Sequence, residues 1–343
     1  MQLSPIRAAP KLDPLARFHV SLERELMRWV RPADEAALDP LWSKAQDVVA
    51  EYTLRPAKRV RPTLTALGWL AARPGEAAVP HEVVQFAAGL ELLHTFMLVH
   101  DDVADRATTR RGGPCLHHLI GEQQAIVAGD HLYARAMEVM FSAPSLRAAA
   151  TTQYVLGVCR HTAAGQHLDL ELQGAPLSSV TLFRTLKVAE LKTARYGFVA
   201  PLMCGAMLGG ADGRVLEALK RAGRHAGLAY QLRDDLIGLF GDDRVAGKDG
   251  GGDYLEGKRT FPVIAAWTRG GAADRDRLEA LWAEPDAGRL ADARAEVERL
   301  GGLEATQRVI ETRTRTALKA LETVGPSAAP IAGLVQGLAR RAA

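Results

Sequence analysis

One stretch of the chain, from His81 to Asp105, limits the fold more than any other. Its apolar side chains recur at the spacing of one helix face, as Val84, Ala88, Leu92, Phe96 and Val99, and this period is typical of a long α-helix. Ala and Leu dominate the 343 residues, 48% are hydrophobic, and Val and Ile form no alternating runs. We therefore expect an all-α fold with a sizeable apolar core and little β-sheet.

The same periodicity, bounded by proline and glycine, predicts the other helices. We expect helices from near Leu15 to before Pro32, over Leu41–Tyr52, beginning at Lys58–Arg61, and over residues 121–141, 146–172, 180–209, 213–240, 260–268, 289–300 and 302–324. Residues 1–14 are predicted to form an irregular arm, and residues 270–288 and 324–330 to form surface loops. Because no Pro/Ser-rich linker divides the chain, residues 1–343 are predicted to form a single domain.

Charge, cysteine content and the N-terminus exclude several classes of protein. The net charge is only +3, from 43 basic and 40 acidic residues, whereas nucleic-acid binding usually needs a concentrated basic face. Cys115, Cys159 and Cys204 lack metal-ligand spacing, which favours a reducing compartment. The N-terminus lacks a signal-peptide core, and the longest uncharged stretch, Tyr196–Ala211, is too short to span a membrane. We expect a soluble, cytoplasmic protein without a transmembrane segment.

An acidic cluster, Asp101-Asp102-Val103-Ala104-Asp105, ends the first predicted helix and is followed by Arg110 and Arg111. Asp101 and Asp105 are four residues apart and share a helix face, where their repulsion is unfavourable unless a cation neutralises it. Mg²⁺ is usually bound by one or two such carboxylates together with substrate phosphates. The arginines nearby favour a substrate that carries a polyphosphate.

A second acidic pair, Asp234-Asp235, lies near the end of the helix predicted over residues 213–240 and precedes two lysines, Lys248 and Lys258. The residue one turn after Asp234 is Gly238, so water or Asp242 is the candidate replacement for a third carboxylate. Acidic pairs at helix ends are most often solvated, but two of them, each followed by basic residues, favour a diphosphate-using enzyme. No GxGxxG or P-loop pattern, zinc-binding set or nucleophile elbow is present.

The ordered set of short motifs resembles that of the trans-isoprenyl diphosphate synthases, of the polyprenyl synthetase family. The resemblance runs from about residue 20 to 335 and rests on Lys58-Arg59-Val60-Arg61-Pro62, His94, Asp101–Asp105, Arg110-Arg111-Gly112-Gly113-Pro114, Gly165-Gln166-His167-Leu168-Asp169, Lys192-Thr193-Ala194, Tyr230-Gln231 with Asp234-Asp235, Gly247-Lys248 and Gly257-Lys258-Arg259-Thr260. It implies a helical bundle with a central active-site cavity, usually a homodimer, that joins isopentenyl diphosphate head-to-tail to an allylic diphosphate.

The resemblance also implies a role for each matching residue. Mg²⁺ that bridges the allylic diphosphate is expected on Asp101, Asp105 and Asp234, with Asp102 and Asp235 supporting. The allylic diphosphate itself is expected on Arg110, Lys192, Lys248 and Lys258. Isopentenyl diphosphate is expected on Lys58, Arg61, His94 and Arg111. The reacting centre is expected to be lined by Thr193 and Gln231, and by Gln166 and Asp169.

Product length in this family depends on residues that precede the first acidic cluster, here Leu93, Phe96 and Met97. An aromatic residue five positions before Asp101, with a non-aromatic one four before, resembles the producers of the twenty-carbon geranylgeranyl diphosphate. Phe96 lies about 7–8 Å along a helix from Asp101, a plausible floor for the pocket, but Met97 lies more directly beneath Asp101. Farnesyl diphosphate and longer-chain products are the alternatives for the product. The alternative for Phe96 is the ordinary role of a core residue.

Three alternatives to the synthase disagree with the sequence. A class I terpene cyclase has a second metal motif that begins with Asn or Asp and contains Ser/Thr and Glu, whereas this chain contains no Asn and has Gly238 at that site. Such cyclases also lack the expected isopentenyl diphosphate residues. A head-to-head synthase needs different aspartate motifs, and non-catalytic small subunits lose aspartates of the first motif, which are all present here.

Overall fold

The computed structural model describes residues 14–241 and 251–339. Its α-helices are α1 (Pro14–Val30), α2 (Ala33–Ala36), α3 (Pro40–Leu54), α4 (Val60–Ala72), α5 (His81–Ala104), α6 (Leu116–Ile120), α7 (Glu122–Phe141), α8 (Ala148–Leu172), α9 (Leu182–Val188), α10 (Ala200–Gly209), α11 (Gly213–Phe240), α12 (Gly252–Leu255), α13 (Phe261–Arg269), α14 (Ala272–Ala283), α15 (Leu290–Arg299), α16 (Gly302–Glu322) and α17 (Ala329–Ala339). A π-helical segment, Ala189–Val199, joins α9 to α10. Three 3₁₀ turns lie at Leu177–Ser179, Ala287–Arg289 and Pro326–Ala328.

Helix α5 lies in the middle of the bundle. It packs against α1, α4 and α7, and Phe86, Leu90 and Leu93 are buried completely or nearly so. An apolar window of α5 is long enough to cross a membrane, but 72% of that window is buried inside the fold. Such burial is what the core helix of a soluble protein shows. Because α5 is held on several sides, the carboxylates at its C-terminal end have a rigid support.

A second apolar cluster joins α4 and α10 to α11, α16 and α17, through residues such as Leu64, Leu202 and Leu321. A third cluster packs the ends of α8 and α11 against α12 to α15, around Tyr254 and Trp282. Together with the core around α5, these two clusters support a bundle in which the π-helical segment packs against α8 and α11. The all-α architecture expected from the sequence is confirmed, and most predicted helices lie within two residues of their observed bounds.

The segment predicted as one helix over residues 180–209 follows a helical path from Leu182 to Gly209, but its central eleven residues are π-helical. In a π-helix each backbone hydrogen bond spans one residue more than in an α-helix, and such segments are frequently found at functional sites. Here it carries Lys192 and Thr193. Helical periodicity alone did not reveal this change of winding.

One loop prediction was wrong. Residues 270–288 contain α14, whose Leu278, Leu281 and Trp282 are buried. Four charged residues, Asp274 to Arg277, precede these side chains, so the apolar face of α14 is short and easily overlooked in the sequence. Residues 324–330, also predicted as a loop, connect α16 to α17 through the 3₁₀ turn Pro326–Ala328, and only Ala329 and Pro330 already belong to α17. The predicted arm, residues 1–14, lies outside the described residues except for Pro14, which begins α1.

Candidate active site

Lysines from two other segments face the carboxylates at the end of α5. Lys192 Nζ lies 3.7 Å from Asp101 Oδ1, and Lys258 Nζ lies 3.7 Å from Asp105 Oδ2. Burial and the charge of Asp101 raise the pKa of Asp105 to about 6. The structure therefore brings together four of the residues that the sequence predicted to share one site.

A close approach of α8 to the π-helical segment positions Lys192. A Cβ on Gly165 would lie 2.5 Å from Lys192 N, so a larger residue would push the two segments apart. One turn later on α8, Asp169 Oδ2 lies 2.7 Å from Lys192 Nζ. Burial opposes the charge of Lys192, but the carboxylates of Asp169 and Asp101 leave its pKa raised. The ammonium group of Lys192 therefore stays charged between the carboxylates of Asp169 on α8 and Asp101 on α5.

Lys258 is surrounded by carboxylates. Besides Asp105, it pairs with Asp253 Oδ1 at 3.6 Å and with Glu256. Burial disfavours its charge, but Asp253, Asp105 and Glu256 raise its pKa. The sequence predicted Lys258 but neither Asp253 nor Glu256, although both lie within the same short stretch of chain.

A chain of hydrogen bonds links the π-helical segment to α11. Thr193 Oγ1 donates to Gln231 Oε1 at 2.5 Å, and Gln231 Nε2 donates to Asp235 Oδ1 at 2.8 Å. Burial and the charge of Asp253 raise the pKa of Asp235 to about 8. The orientation of the Gln231 amide is therefore set from both ends, with its oxygen toward Thr193.

Asp102 lies behind the site and holds Arg110. Its side chain is fully buried, and it accepts hydrogen bonds from Tyr52 Oη and from Arg110 Nε, each at 2.8 Å. Burial and the charge of Asp102 raise the pKa of Tyr52, so the phenol remains a donor. Both carboxylate oxygens thus accept hydrogen bonds from protein groups, and Asp102 orients Arg110.

Arg110 and Arg111 lie on a short hairpin whose strands, β1 (Thr109–Arg110) and β2 (Gly113–Pro114), are antiparallel. Its turn residues, Arg111 and Gly112, have φ of 52° and 75°, which are the values of a type I′ hairpin turn. The turn orients the two adjacent arginine side chains toward different carboxylates. Arg110 donates to Asp102, and Arg111 donates to Glu91.

Glu91 of α5 is a buried carboxylate shared by two arginines. Glu91 Oε1 accepts from Arg59 Nη1 at 2.7 Å and from Arg111 Nη2 at 2.9 Å. Both guanidinium groups also donate to the carbonyl oxygen of Thr53. Arg59 is held at φ 44°, an uncommon value for a non-glycine residue. Glu91 was not predicted from the sequence, although a single acidic residue within an apolar helix face is a usable signal.

Arg61 and His94 are in direct contact. Arg61 Nη1 lies 2.9 Å from His94 Nε2, and its guanidinium carbon lies 5.1 Å from the ring centre of Tyr196. Burial and the charge of Arg61 lower the pKa of His94 well below its usual value. Among the described residues, His94 Nδ1, Arg61 Nε and Gln166 Nε2 are buried and have no hydrogen-bond partner.

The residues predicted to set product length differ in their surroundings. Leu93 is fully buried in the core, whereas Phe96 and Met97 are half-buried. The Phe96 ring lies 4.7 Å from the ring of His100 and 5.3 Å from that of Tyr133 on α7. Phe96 therefore belongs to an aromatic cluster between α5 and α7.

Four of the residues predicted for the site remain to be located in the fold. Lys58 is exposed just before α4, and Asp234 is half-buried on α11. The candidate ligands Lys248 and Asp242 lie outside the described residues.

Mg²⁺ is the metal that the sequence resemblance implies, and the side chains here fit part of its coordination. The available donors are carboxylate oxygens, which suit a hard cation. Within residues 14–241 and 251–339, no three His, Cys, Asp or Glu side chains come together as a complete metal site. Asp101 and Asp105 therefore fit a Mg²⁺ ion that takes one or two protein carboxylates and completes its shell with substrate phosphate.

Comparison with known proteins agrees with this geometry. The model of the polyprenyl synthetase family matches residues 43–298. The chain belongs to the polyprenyl synthetase family. A short chain isoprenyl diphosphate synthase of Methanothermobacter thermautotrophicus is 33% identical over 88% of this polyprenyl synthetase and 94% of that protein. A (2E,6E)-farnesyl diphosphate synthase of Mycobacterium tuberculosis is 38% identical over 67% of this chain and 62% of that protein.

Solved structures share the fold over almost the whole length. Geranylgeranyl pyrophosphate synthase of Corynebacterium glutamicum, crystallised with isoprenyl diphosphate and magnesium, superposes with a TM-score of 0.85 at 27% identity. The match covers 94% of this polyprenyl synthetase and 97% of that chain. The protein is therefore a trans-prenyltransferase. Since its relatives include farnesyl and geranylgeranyl synthases, family membership does not decide the product length.

Proposed function

We propose that this polyprenyl synthetase is a Mg²⁺-dependent enzyme that joins isopentenyl diphosphate head-to-tail to an allylic diphosphate, with geranylgeranyl diphosphate as its main product. The observation that carries the proposal is the pairing of Asp101 with Lys192 and of Asp105 with Lys258, each at 3.7 Å. Lysines bind phosphate oxygens, and carboxylates bind the cation that accompanies a diphosphate. Three separate segments of the chain thus supply complementary partners for one Mg²⁺–diphosphate group.

The first step of the proposed reaction breaks the allylic C–O bond, and the electron pair leaves with the diphosphate. Lys192, Lys258 and Arg110 stabilise the negative charge that develops on this leaving group, because they are fixed before the reaction begins. Bound Mg²⁺ would add Lewis-acid stabilisation of the same charge. Asp101, Asp105 and Asp234 are the proposed metal ligands, and Lys248 is a further proposed diphosphate ligand.

The second step forms the new C–C bond from the double bond of isopentenyl diphosphate. That substrate must be held against the allylic cation before the cation is lost. Arg61, His94 and Arg111, with Lys58, are the proposed ligands of its diphosphate. The buried Nδ1 of His94, which has no partner among the described residues, is a donor that this anion would satisfy. A proton finally passes from the isopentenyl unit to the released diphosphate.

The polar side chains beneath the lysines are proposed to line the reacting centre. Gln231 directs its amide oxygen toward Thr193 and its NH₂ group toward Asp235. Oxygen dipoles near the allylic carbons favour positive charge there, and exclusion of water protects the cation from capture. Gln166 and Asp169 are the further proposed members of this lining.

The proposed product length rests on Phe96 with Met97 and Leu93. The Phe96 ring packs against Tyr133 and His100, so it is supported from α7 and suits the floor of an elongation pocket. Farnesyl diphosphate or a longer polyprenyl diphosphate is the alternative product.

We also propose that the enzyme is a cytoplasmic homodimer. Apolar side chains are exposed on α7 and α8, among them Val127, Phe141 and Leu170, and a second copy that packs against these helices would cover them. Light scattering after gel filtration should then give twice the 36.9 kDa chain mass. Cell fractionation tests the location.

The function is tested with labelled isopentenyl diphosphate, Mg²⁺ and dimethylallyl, geranyl or farnesyl diphosphate in turn, followed by chromatography of the dephosphorylated products. We expect geranylgeraniol as the dominant product and its loss in Asp101→Asn and Lys258→Ala, but not in the exposed control Asp292→Asn. A farnesol peak or a longer ladder would overturn only the product length. Cyclic hydrocarbons from an allylic diphosphate alone, without elongation, would contradict the synthase and favour a terpene cyclase.

A further inference from the structure

An ion pair on the π-helical segment spans the residues that this segment contributes to the candidate active site. Glu190 Oε1 accepts hydrogen bonds from Arg195 Nε at 3.3 Å and from Arg195 Nη2 at 3.0 Å. Glu190 and Arg195 are five residues apart, and Lys192 and Thr193 lie in the middle of this interval. The pair therefore closes the same turn of helix that presents both side chains to the site.

A spacing of five residues distinguishes π-helical from α-helical winding. In an α-helix, residues five apart point about 140° away from each other around the axis, since 3.6 residues make one turn. A π-helix forms its backbone hydrogen bonds between residues five apart, so the winding brings such residues close together. The contact between Glu190 and Arg195 thus matches the winding observed over Ala189–Val199. An α-helical path would turn the two groups toward different faces.

Both neighbouring helices hold the Glu190–Arg195 pair. Glu190 Oε2 accepts from Arg224 Nη2 of α11 at 2.7 Å. Arg195 Nη1 lies 3.1 Å from His161 Nδ1 of α8, and His161 accepts in this contact because a guanidinium group can only donate. The pair is therefore fixed to the helices on either side of the π-helical segment.

The same two helices also supply partners within the candidate active site. On α11, Arg224 precedes Gln231 by seven residues, and on α8, His161 precedes Asp169 by eight. These separations correspond to about 10 and 12 Å along a helix. Gln231 and Asp169 are the residues that contact the π-helical segment in the site. Each helix thus grips this segment at two levels, once in the site and once at the ion pair.

The Glu190 carboxylate is largely withdrawn from water. Its side chain is 10% exposed, whereas those of Arg195 and Arg224 are 33% and 53% exposed. Burial opposes its charge, but hydrogen bonds from Arg224 and Arg195 leave the pKa of Glu190 lowered. Hydrogen bonds between charged groups are shorter and stronger than neutral ones, while fully exposed ion pairs contribute little. The burial of Glu190 therefore makes this contact more than a surface ion pair.

We propose that Glu190 and Arg195 are positioning residues, whose contact maintains the π winding and thereby directs Lys192 and Thr193 into the active site. The inference rests on the proposed function and adds two residues that lie outside the proposed substrate contacts. Each residue of an α-helix turns the chain by about 100°. If the segment relaxed to an α-helix, Lys192 and Thr193 would no longer reach their present partners together.

The alternative is that the ion pair only stabilises the fold. Its loss would then lower the melting temperature but leave the winding of Ala189–Val199 and the turnover of the folded enzyme unchanged. Glu217 offers a matched control, because it pairs with Lys220 on the surface of α11 and its side chain is 71% exposed. Glu217→Gln removes the same charge and should leave both the winding and kcat as in the wild type.

The kinetic test compares Glu190→Gln, Arg195→Gln, their double variant, Arg195→Lys and Glu217→Gln at a temperature where circular dichroism shows each to be folded. Glu190→Gln and Arg195→Gln should each lower kcat about 10- to 100-fold, as small misplacements of reacting groups do. KM for isopentenyl diphosphate should change little, since none of its proposed ligands lies on the π-helical segment. The double variant should lose no more than either single variant, because both remove one contact. Arg195→Lys keeps a charged donor and should recover part of kcat.

Crystal structures of the wild type and of Glu190→Gln show the winding directly. We expect hydrogen bonds between residues four apart to replace those between residues five apart in the variant, and Lys192 Nζ to move away from Asp169. A variant that keeps the π winding and this lysine contact would overturn the proposal, as would an unchanged kcat or losses that multiply in the double variant. If the wild type does not elongate, the proposed function fails, while the crystal structures still decide the role of Glu190.

Discussion

Arg61 Nη1 lies 2.9 Å from His94 Nε2. A guanidinium group can only donate, so His94 accepts at Nε2 and carries its proton on Nδ1. Nδ1 is buried and has no hydrogen-bond partner among the described residues. The contact therefore selects the tautomer of His94 and leaves one donor for an anion.

Replacement of His94 should affect one substrate only. We expect His94→Phe to raise KM for isopentenyl diphosphate about 10- to 100-fold, since a hydrogen bond to a charged group contributes about 1.5–3 kcal/mol. KM for the allylic diphosphate should change little. Because the pKa of His94 is lowered well below its usual value, its neutral form should persist from pH 6 to 8. His118→Phe, at an exposed histidine, is the control, and an equal loss for both substrates would contradict the assignment.

Loss of the Glu91 charge should destabilise the fold. Glu91→Gln leaves the buried guanidinium groups of Arg59 and Arg111 without their shared carboxylate, and breaking a buried ion pair in this way costs about 3–5 kcal/mol. Urea unfolding monitored by circular dichroism measures the effect. The same substitution at Glu304, whose ion pair with Arg308 is exposed, should change the free energy of unfolding by less than about 1 kcal/mol. Equal effects at the two sites would be inconsistent with this account of the Glu91 network.

Mg²⁺ binding should weaken as the pH falls below 6. The pKa of Asp105 is raised to about 6 by burial and by Asp101, and a metal binds the ionised carboxylate. Protons therefore compete with Mg²⁺ below this pH, and the apparent Mg²⁺ affinity should fall about tenfold per pH unit for one ionising group. Calorimetric titration of Mg²⁺ with inorganic diphosphate at pH 5, 6 and 7.5 measures the trend. Asp105→Asn cannot ionise at this position, so its titrations measure the effect of diphosphate protonation alone. The same dependence of Mg²⁺ affinity on pH in both proteins would refute the role of Asp105.

Asp235→Asn should stabilise the metal-free protein at high pH. Burial and the charge of Asp253 raise the pKa of Asp235 to about 8, so its contribution to stability is present below the usual carboxyl pKa and is lost as the pH rises toward 8. Asparagine keeps an oxygen for Gln231 and carries no charge. The variant should gain about 1 to 3 kcal/mol over the wild type at pH 8.5, with a smaller gain at pH 5. Urea unfolding at both pH values tests this, and a difference independent of pH would be evidence against it.

Phe96→Ala should lengthen the product. Removal of the ring from its contacts with His100 and Tyr133 opens space between α5 and α7 for further isoprene units. Chromatography of the dephosphorylated products should show chains longer than those of the wild type. Leu278→Ala, at a fully buried core position on α14, shows how a cavity behaves at a residue that is not proposed to set product length. An unchanged product distribution in Phe96→Ala would show that Phe96 does not form the floor of the elongation pocket.

Local pattern was enough to predict most of the helices, because apolar periodicity and helix-breaking residues act within a few turns, but it missed α14. It also placed Asp101 and Asp105 on one face of α5, since their four-residue spacing is a property of the helix itself. The ordered motifs predicted the family, which the family match over residues 43–298 confirms. The sequence by itself thus determined the all-α class and the chemical types gathered in the site.

Only the tertiary structure decided which of these groups meet. The pairing of Lys192 with Asp101, the sharing of Glu91 between Arg59 and Arg111, and the approach of Asp253 to Gly238 join residues between 15 and 91 positions apart in the chain. Such contacts depend on how buried faces from different helices pack and on which buried charges find partners. The free energies of packing and of buried charge are set by the whole fold, so no local pattern could specify them.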